Sequence, residues 1–126
     1  MNFASSLTWQ KEALEWFARV VEDHGRTHLP VVEISGEIVA SAVGILEIGV
    51  PNPHSPTGRA VRLMNVMTLP DHRGHRYATE LVNSVILWGS NLKVDRIDLS
   101  ATAEGQRLYE RLGFTIASAP RMKRML

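Results

Sequence analysis

With 126 residues, 44% of them hydrophobic and 21% charged, the chain has the composition of an ordinary globular protein and room for one domain, residues 1–126, around one core. A formal net charge of +1 gives no general attraction for nucleic acid or an anionic membrane, so any anion recognition must be local. The absence of cysteine excludes disulfides, thiolate metal sites and a cysteine nucleophile; with no apolar run near the ~20 residues that span a bilayer and no signal-peptide pattern, the chain reads as cytoplasmic.

The first predicted element is an amphipathic helix over Thr8–His24. Its apolar positions Trp9, Ala13, Leu14, Trp16, Phe17, Val20 and Val21 recur at helical spacing, Thr8 is the expected N-cap and Gly25 the stop. Two runs rich in Val and Ile follow, Leu29–Gly36 and Glu37–Val50, joined at Ser35-Gly36, and predict an antiparallel hairpin. The stretch "PNPHSPTG", Pro51 to Gly58, is a loop by its proline and glycine content, and "AVRLMNVMTL", Ala60 to Leu69, is the next strand. Tyr77, Ala78, Leu81, Val82, Val85, Ile86 and Trp88 form the apolar stripe of a second helix reaching about Leu92. "VDRIDLSA", Val94 to Ala101, alternates as a strand, and Glu104–Leu112 is a short helix stopped by Gly113. "FTIASA" and "RMKRML" are expected to close the chain as two short strands around Pro120. The order α-β-β-β-α-β-α-β-β predicts an α/β (α+β) fold, a mixed sheet with helices on its faces.

Between the strand ending at Leu69 and the second helix lies "LPDHRGHRYATELV", which sets two arginines, two histidines and a glycine at the mouth of a helix. Unpaired N–H groups and the positive end of the macrodipole make such a place an anion seat. Arg73 and Arg76 add formal charge, and Gly74 lets the backbone approach a ligand with no Cβ in the way. The plain alternative is a solvated basic helix start, because a short glycine motif is weak by itself.

Arg73-Gly74-His75-Arg76-Tyr77-Ala78, followed at the right spacing by Leu108-Tyr109-Glu110-Arg111-Leu112-Gly113-Phe114, resembles the GNAT superfamily of N-acetyltransferases. The first segment is similar to the family's pyrophosphate loop except at Arg76, where a glycine is usual. The second is similar to its alkyl-Tyr pair followed by Gly-Phe, and the resemblance runs from about Pro30 to Leu126. It implies a mostly antiparallel central sheet, here without a confident first strand, and acetyl-CoA as co-substrate with no metal. It further implies that the backbone N–H groups of Arg73, Gly74, His75, Arg76, Tyr77 and Ala78 hold the pyrophosphate. The strand at Val66, Met67 and Thr68 would part from "VDRIDLSA" and pair with the pantetheine arm. Tyr109 is implied as the acid that protonates the leaving thiolate, after direct attack of an amine on a thioester whose oxyanion a backbone N–H stabilises. Without the motif, Tyr109 beside Leu108 and Leu112 reads as a half-buried core residue with a wet hydroxyl. Thr102 stands where the family often has Asn, Gly105 where it often has Ala. At Arg76, a need for positive φ or phosphate clearance would make arginine costly, whereas a helix already begun there would turn its side chain outward as an added cation.

Glu47, Asn65 and His54 are candidates for the acceptor cleft and a general base, each set against a simple surface or structural role. His24 and His28 do not share a helical face and lack an acidic partner spaced for a metal; His72 and His75 flank the anion seat; Met64 and Met67 read as core filler. The acceptor, a small-molecule or peptide amine, has no selecting motif. The alternatives are a non-catalytic acyl-CoA-binding or regulatory domain, or a structural subunit that uses the fold to dimerise. The hairpin strand Leu29–Gly36 is expected at a sheet edge that Met1–Leu7 or a second copy would cover, so a homodimer is expected too.

Overall fold

Ser35 and Gly36, with φ of 51° and 81°, make the tight left-handed turn that a two-residue hairpin requires, and the sheet is built outward from it. In the computed structural model, which describes residues 3–20 and 25–126, the helices are α1 (Phe3–Val20), α2 (Tyr77–Asn91) and α3 (Gln106–Arg111). The strands are β1 (Thr27–His28), β2 (Val31–Ile34), β3 (Glu37–Ile48), β4 (Arg59–Thr68) and β5 (Arg96–Asp98). β3 is the spine: β1 and β2 pair antiparallel with its two halves and β4 with its other side, while β5 runs parallel to β4. The result is a mixed, mostly antiparallel sheet flanked by helices, as the sequence pattern implies.

The strand expected at Leu29–Gly36 is two pieces. Pro30 has no N–H to donate, so the ladder of β2 stops short of it and pairing resumes at His28, while the Pro30 carbonyl still accepts from the Ala42 N–H at 3.1 Å. β2 lies at the sheet edge with Val31 and Ile34 exposed. α1 starts five residues before the expected N-cap, so Thr8 lies inside the helix and Phe3–Leu7 are helical rather than extended. The predicted end of this helix at Val21–His24 lies outside the described residues, and so does His24.

α2 lies across β3 and β4, its Val82 and Val85 fully buried against Val61 and beside Ala42 and Leu63. The close approach depends on Gly44: a Cβ there would come to 2.9 Å of Val85 Cγ1. β1 is tied to the same helix through His28, whose Nε2 is 2.8 Å from Ser84 Oγ and whose ring stacks on Trp88 at 5.5 Å between centroids. Burial lowers the His28 pKa and favours the neutral ring that this packing needs. The proline-rich loop is held by Asp95, which accepts from Ser55 Oγ (2.7 Å), Thr57 N (3.0 Å) and Thr57 Oγ1 (2.8 Å). The Ser55 bond, first among these, holds the Asp95 carboxyl below the usual carboxylate range.

The two closing strands do not form. After Gly113, at φ 95°, Phe114 packs against the core, but residues 115–126 take no regular structure and Ile116, Met122, Met125 and Leu126 are exposed. A strand needs a partner ladder, and these residues pair with no edge of the sheet. "VDRIDLSA" likewise contributes only Arg96–Asp98 as strand. No helix among the described residues is long and apolar enough to cross a membrane. Gly44→Ala is expected to force α2 off β3 and lower stability by about 1–3 kcal/mol, read from the urea midpoint.

Candidate functional site

β4 and β5 pair only at Ala60–Arg96, Val61–Ile97 and Arg62–Asp98. Beyond that last pair β4 continues to Thr68 bonded to β3 alone, and the chain after Asp98 leaves toward Thr102. The V-shaped gap opens into two cavities. The larger, about 620 Å³, is walled by Val66, Met67 and Thr68 of β4, by Arg73, Gly74, Arg76, Tyr77 and Ala78, and by Leu108 and Arg111 of α3. The smaller, about 410 Å³, is lined by Met64, Asn65, Ser100, Thr102, Glu104 and Tyr109 among others. Val66, Ala78 and Leu108 line both, so the two lie end to end.

The gap follows from a bulge. Ser41 pairs with Met67 and Val43 with Met64, so Asn65 and Val66 together oppose Ala42. Asn65 absorbs the extra residue at φ 54°, a conformation that asparagine tolerates better than most residues. The facing of β4 changes there: Leu63 and Val66, three apart, both turn toward the core under α2. From Leu63 onward, the side of β4 that would face β5 has no ladder partner.

The loop leading to α2 begins with a 3-10 turn, Pro70–His72, and passes through Gly74 at φ 85°, where an added Cβ would have no atom within 4 Å. Arg76 is the N-cap of α2 and sits in the left-handed region, φ 62° and ψ 24°. The helix has therefore not begun at Arg76, and arginine holds the backbone conformation that glycine adopts without penalty. No side chain caps α2, so its first N–H groups are open toward the larger cavity, which Arg73, Arg76 and Arg111 also line. His72 lines this cavity as well, whereas His75 stacks on Tyr77 at 5.4 Å and is not part of the lining.

Tyr109 reaches the smaller cavity from α3, half-buried and edge-on to Phe114 at 5.8 Å. Burial raises its pKa above the ordinary 10.0, so the hydroxyl keeps its proton at neutral pH. Gly105 makes room for the ring: a Cβ there would lie 3.3 Å from Tyr109 Cε2. Thr102 anchors the turn before the helix by accepting from the Gly105 N–H at its Oγ1, 3.2 Å, and at its carbonyl, 3.1 Å.

Of the acceptor-side candidates, Asn65 lines the smaller cavity. Glu47 is opposite Ala60, at the other end of β4, and its carboxylate is taken by Arg62 at 2.9 Å. Glu47 lines neither of the two cavities, which agrees with the surface role set against its candidacy. His54 belongs to the tight turn in which its N–H bonds Asn52 Oδ1 at 2.9 Å. Met67 is 58% exposed and lines the larger cavity, so it is not core filler, and Met64 lines the smaller one. Arg111 of α3 and Glu104 of the turn before it are lining groups that no motif in the sequence marked.

The Acetyltransferase (GNAT) family model matches residues 3–114. Among solved structures, the chain is similar to a GCN5-related N-acetyltransferase from Ralstonia eutropha JMP134, with TM-score 0.84 and 21% identity over 100% of this chain and 81% of that one. It is similar to a predicted acetyltransferase from Clostridium acetobutylicum, solved with acetyl-CoA, at TM-score 0.82 and 22% identity over 90% and 73% of the two chains. Glucosamine-6-phosphate N-acetyltransferase from Arabidopsis thaliana gives TM-score 0.75 and 18% identity over 90% and 77%. A search of curated protein sequences returns no match. The matched segment starts well before Pro30, taking in α1, and stops at Phe114, before the irregular C-terminal residues. With the family model matching residues 3–114, most of the chain, this protein belongs to the GNAT family of acetyltransferases.

Proposed function

We propose that the chain transfers an acetyl group from acetyl-CoA to a primary amine by direct attack. The observation that carries this reading is the continuity of a cation-lined cavity at the N-terminus of α2 with a polar cavity at Tyr109, through the gap between β4 and β5. The residues present fit the nucleotide: a positive helix end, three arginines and an open Gly74 suit a pyrophosphate, and the unpaired side of β4 suits a chain of amides. Acetyl-CoA, when bound, supplies an activated acyl carbon.

The protein's part is to place and to move protons. Arg73 to Ala78 and the helix end orient the phosphates, and Val66, Met67 and Thr68 offer main-chain groups along the arm. Backbone N–H groups at the bulge stabilise negative charge on the carbonyl oxygen. The Tyr109 hydroxyl, kept protonated by burial, delivers its proton to the sulfur as the C–S bond breaks. The reading as a non-catalytic regulatory domain of the same fold is favoured by one observation, the large Arg76 side chain on the wall of the cavity.

CoA at millimolar concentration is expected to raise the melting temperature in step with the logarithm of its concentration, and pantetheine, without the phosphates, to raise it less. No shift would remove the seat at Arg73. Tyr109→Phe should fold and bind CoA normally while turnover, read as free thiol, falls on the order of 100-fold. Unchanged turnover would return Tyr109 to the core. Arg76→Gly should relieve the left-handed strain and stabilise the unliganded fold by about 1 kcal/mol, while weakening CoA binding by about 1 kcal/mol through loss of a cation. Tighter CoA binding in that variant would assign Arg76 to obstruction, in favour of the non-catalytic reading.

A further inference from the structure

The two cavities differ in charge. Among the described residues the larger is lined by Arg73, Arg76 and Arg111 and by no carboxylate. Among the described residues the smaller is lined by no lysine or arginine, and Glu104 is its one carboxylate side chain. Glu104 forms no ion pair with a described residue, unlike Asp98, which Arg96 takes at 3.0 Å. Glu104 is exposed, and the backbone of the turn carrying it is held at Thr102, whose carbonyl accepts from Gly105 N and Gln106 N, both at 3.1 Å.

A carboxylate here is unfavourable for the donor. It repels the phosphates and opposes the charge that develops on a departing sulfur. The repulsion turns to attraction only if the other reactant is a cation.

Resting on the acetyl-transfer reading above, we propose that Glu104 selects acceptors that are ammonium ions in solution and takes up a proton that the nitrogen must shed. The ammonium first binds beside the carboxylate at the Asn65 and Tyr109 end of the gap. One N–H proton passes to Glu104, directly or through one water, and the freed lone pair forms the N–C bond. The C–S bond breaks with its electron pair on sulfur, which takes the Tyr109 proton. The nitrogen loses two protons in all: Glu104 passes one to solvent, and the second restores the tyrosine.

The test is thiol release from acetyl-CoA by the full chain with benzylamine, an ammonium at pH 7, and aniline, which is neutral there. Glu104→Gln is expected to lower kcat/KM for benzylamine on the order of 10- to 100-fold. Because the carboxylate opposes the donor, aniline turnover should not fall and the KM for acetyl-CoA should not rise; the melting temperature should stay unshifted, and Glu104→Asp should recover part of the loss. Equal losses for the two amines, or no loss for either, overturn the role of Glu104 and leave acetyl transfer standing. A wild-type chain that CoA stabilises but that releases no thiol with either amine or a wider amine panel overturns both.

Discussion

The structure turns on one extra residue in β4. With Asn65 and Val66 together opposite Ala42, the strand changes its facing midway, so Leu63 and Val66 both serve the core under α2. The last β4–β5 pair is Arg62–Asp98, and the gap beyond it joins the two cavities. A regular β4, zipped to β5 along its length, would close that gap and would put Val66 on the wrong face.

Keeping such a gap open requires rigidity on either side of it. α2 is set close to the sheet by Gly44 and Gly89, and His28 fastens β1 to the helix through Ser84 and Trp88. Asp95 ties the proline-rich loop to the approach of β5. These contacts lie away from the cavities, and they fix where the N-terminus of α2 and the start of β5 can be. α3, only six residues long, brings Leu108 to both cavities, Arg111 to the larger and Tyr109 to the smaller.

Arg76 is the place where local preference and structure disagree. A left-handed arginine is costlier than the glycine the family uses, and it caps α2 without a side-chain bond. Its side chain lines the cavity with Arg73 and Arg111, so the cost coincides with added positive charge. Under the proposed reading the charge runs from cationic at the phosphate end to anionic at Glu104, which orders two reactants of opposite sign along one cleft.

The sequence by itself determined the hairpin at Ser35-Gly36, the α2 stripe from Tyr77, the loop at Pro51–Gly58, and the paired segments at Arg73 and Tyr109 that point to the family. Each rests on local chemistry: turn residues, helical period, or a short motif read in order. Periodicity also misled at Thr8, which lies inside α1, and at the two C-terminal strands, whose pattern was present but whose partner edge was not. What only the tertiary structure decided is non-local. Asn65 becomes a bulge because β3 supplies one residue against two, Glu47 lies away from the cavities opposite Ala60 and pairs with Arg62, and Glu104 enters on the turn that leads into α3. None of these is visible along the chain, because each depends on which residue stands across from another once the sheet has formed.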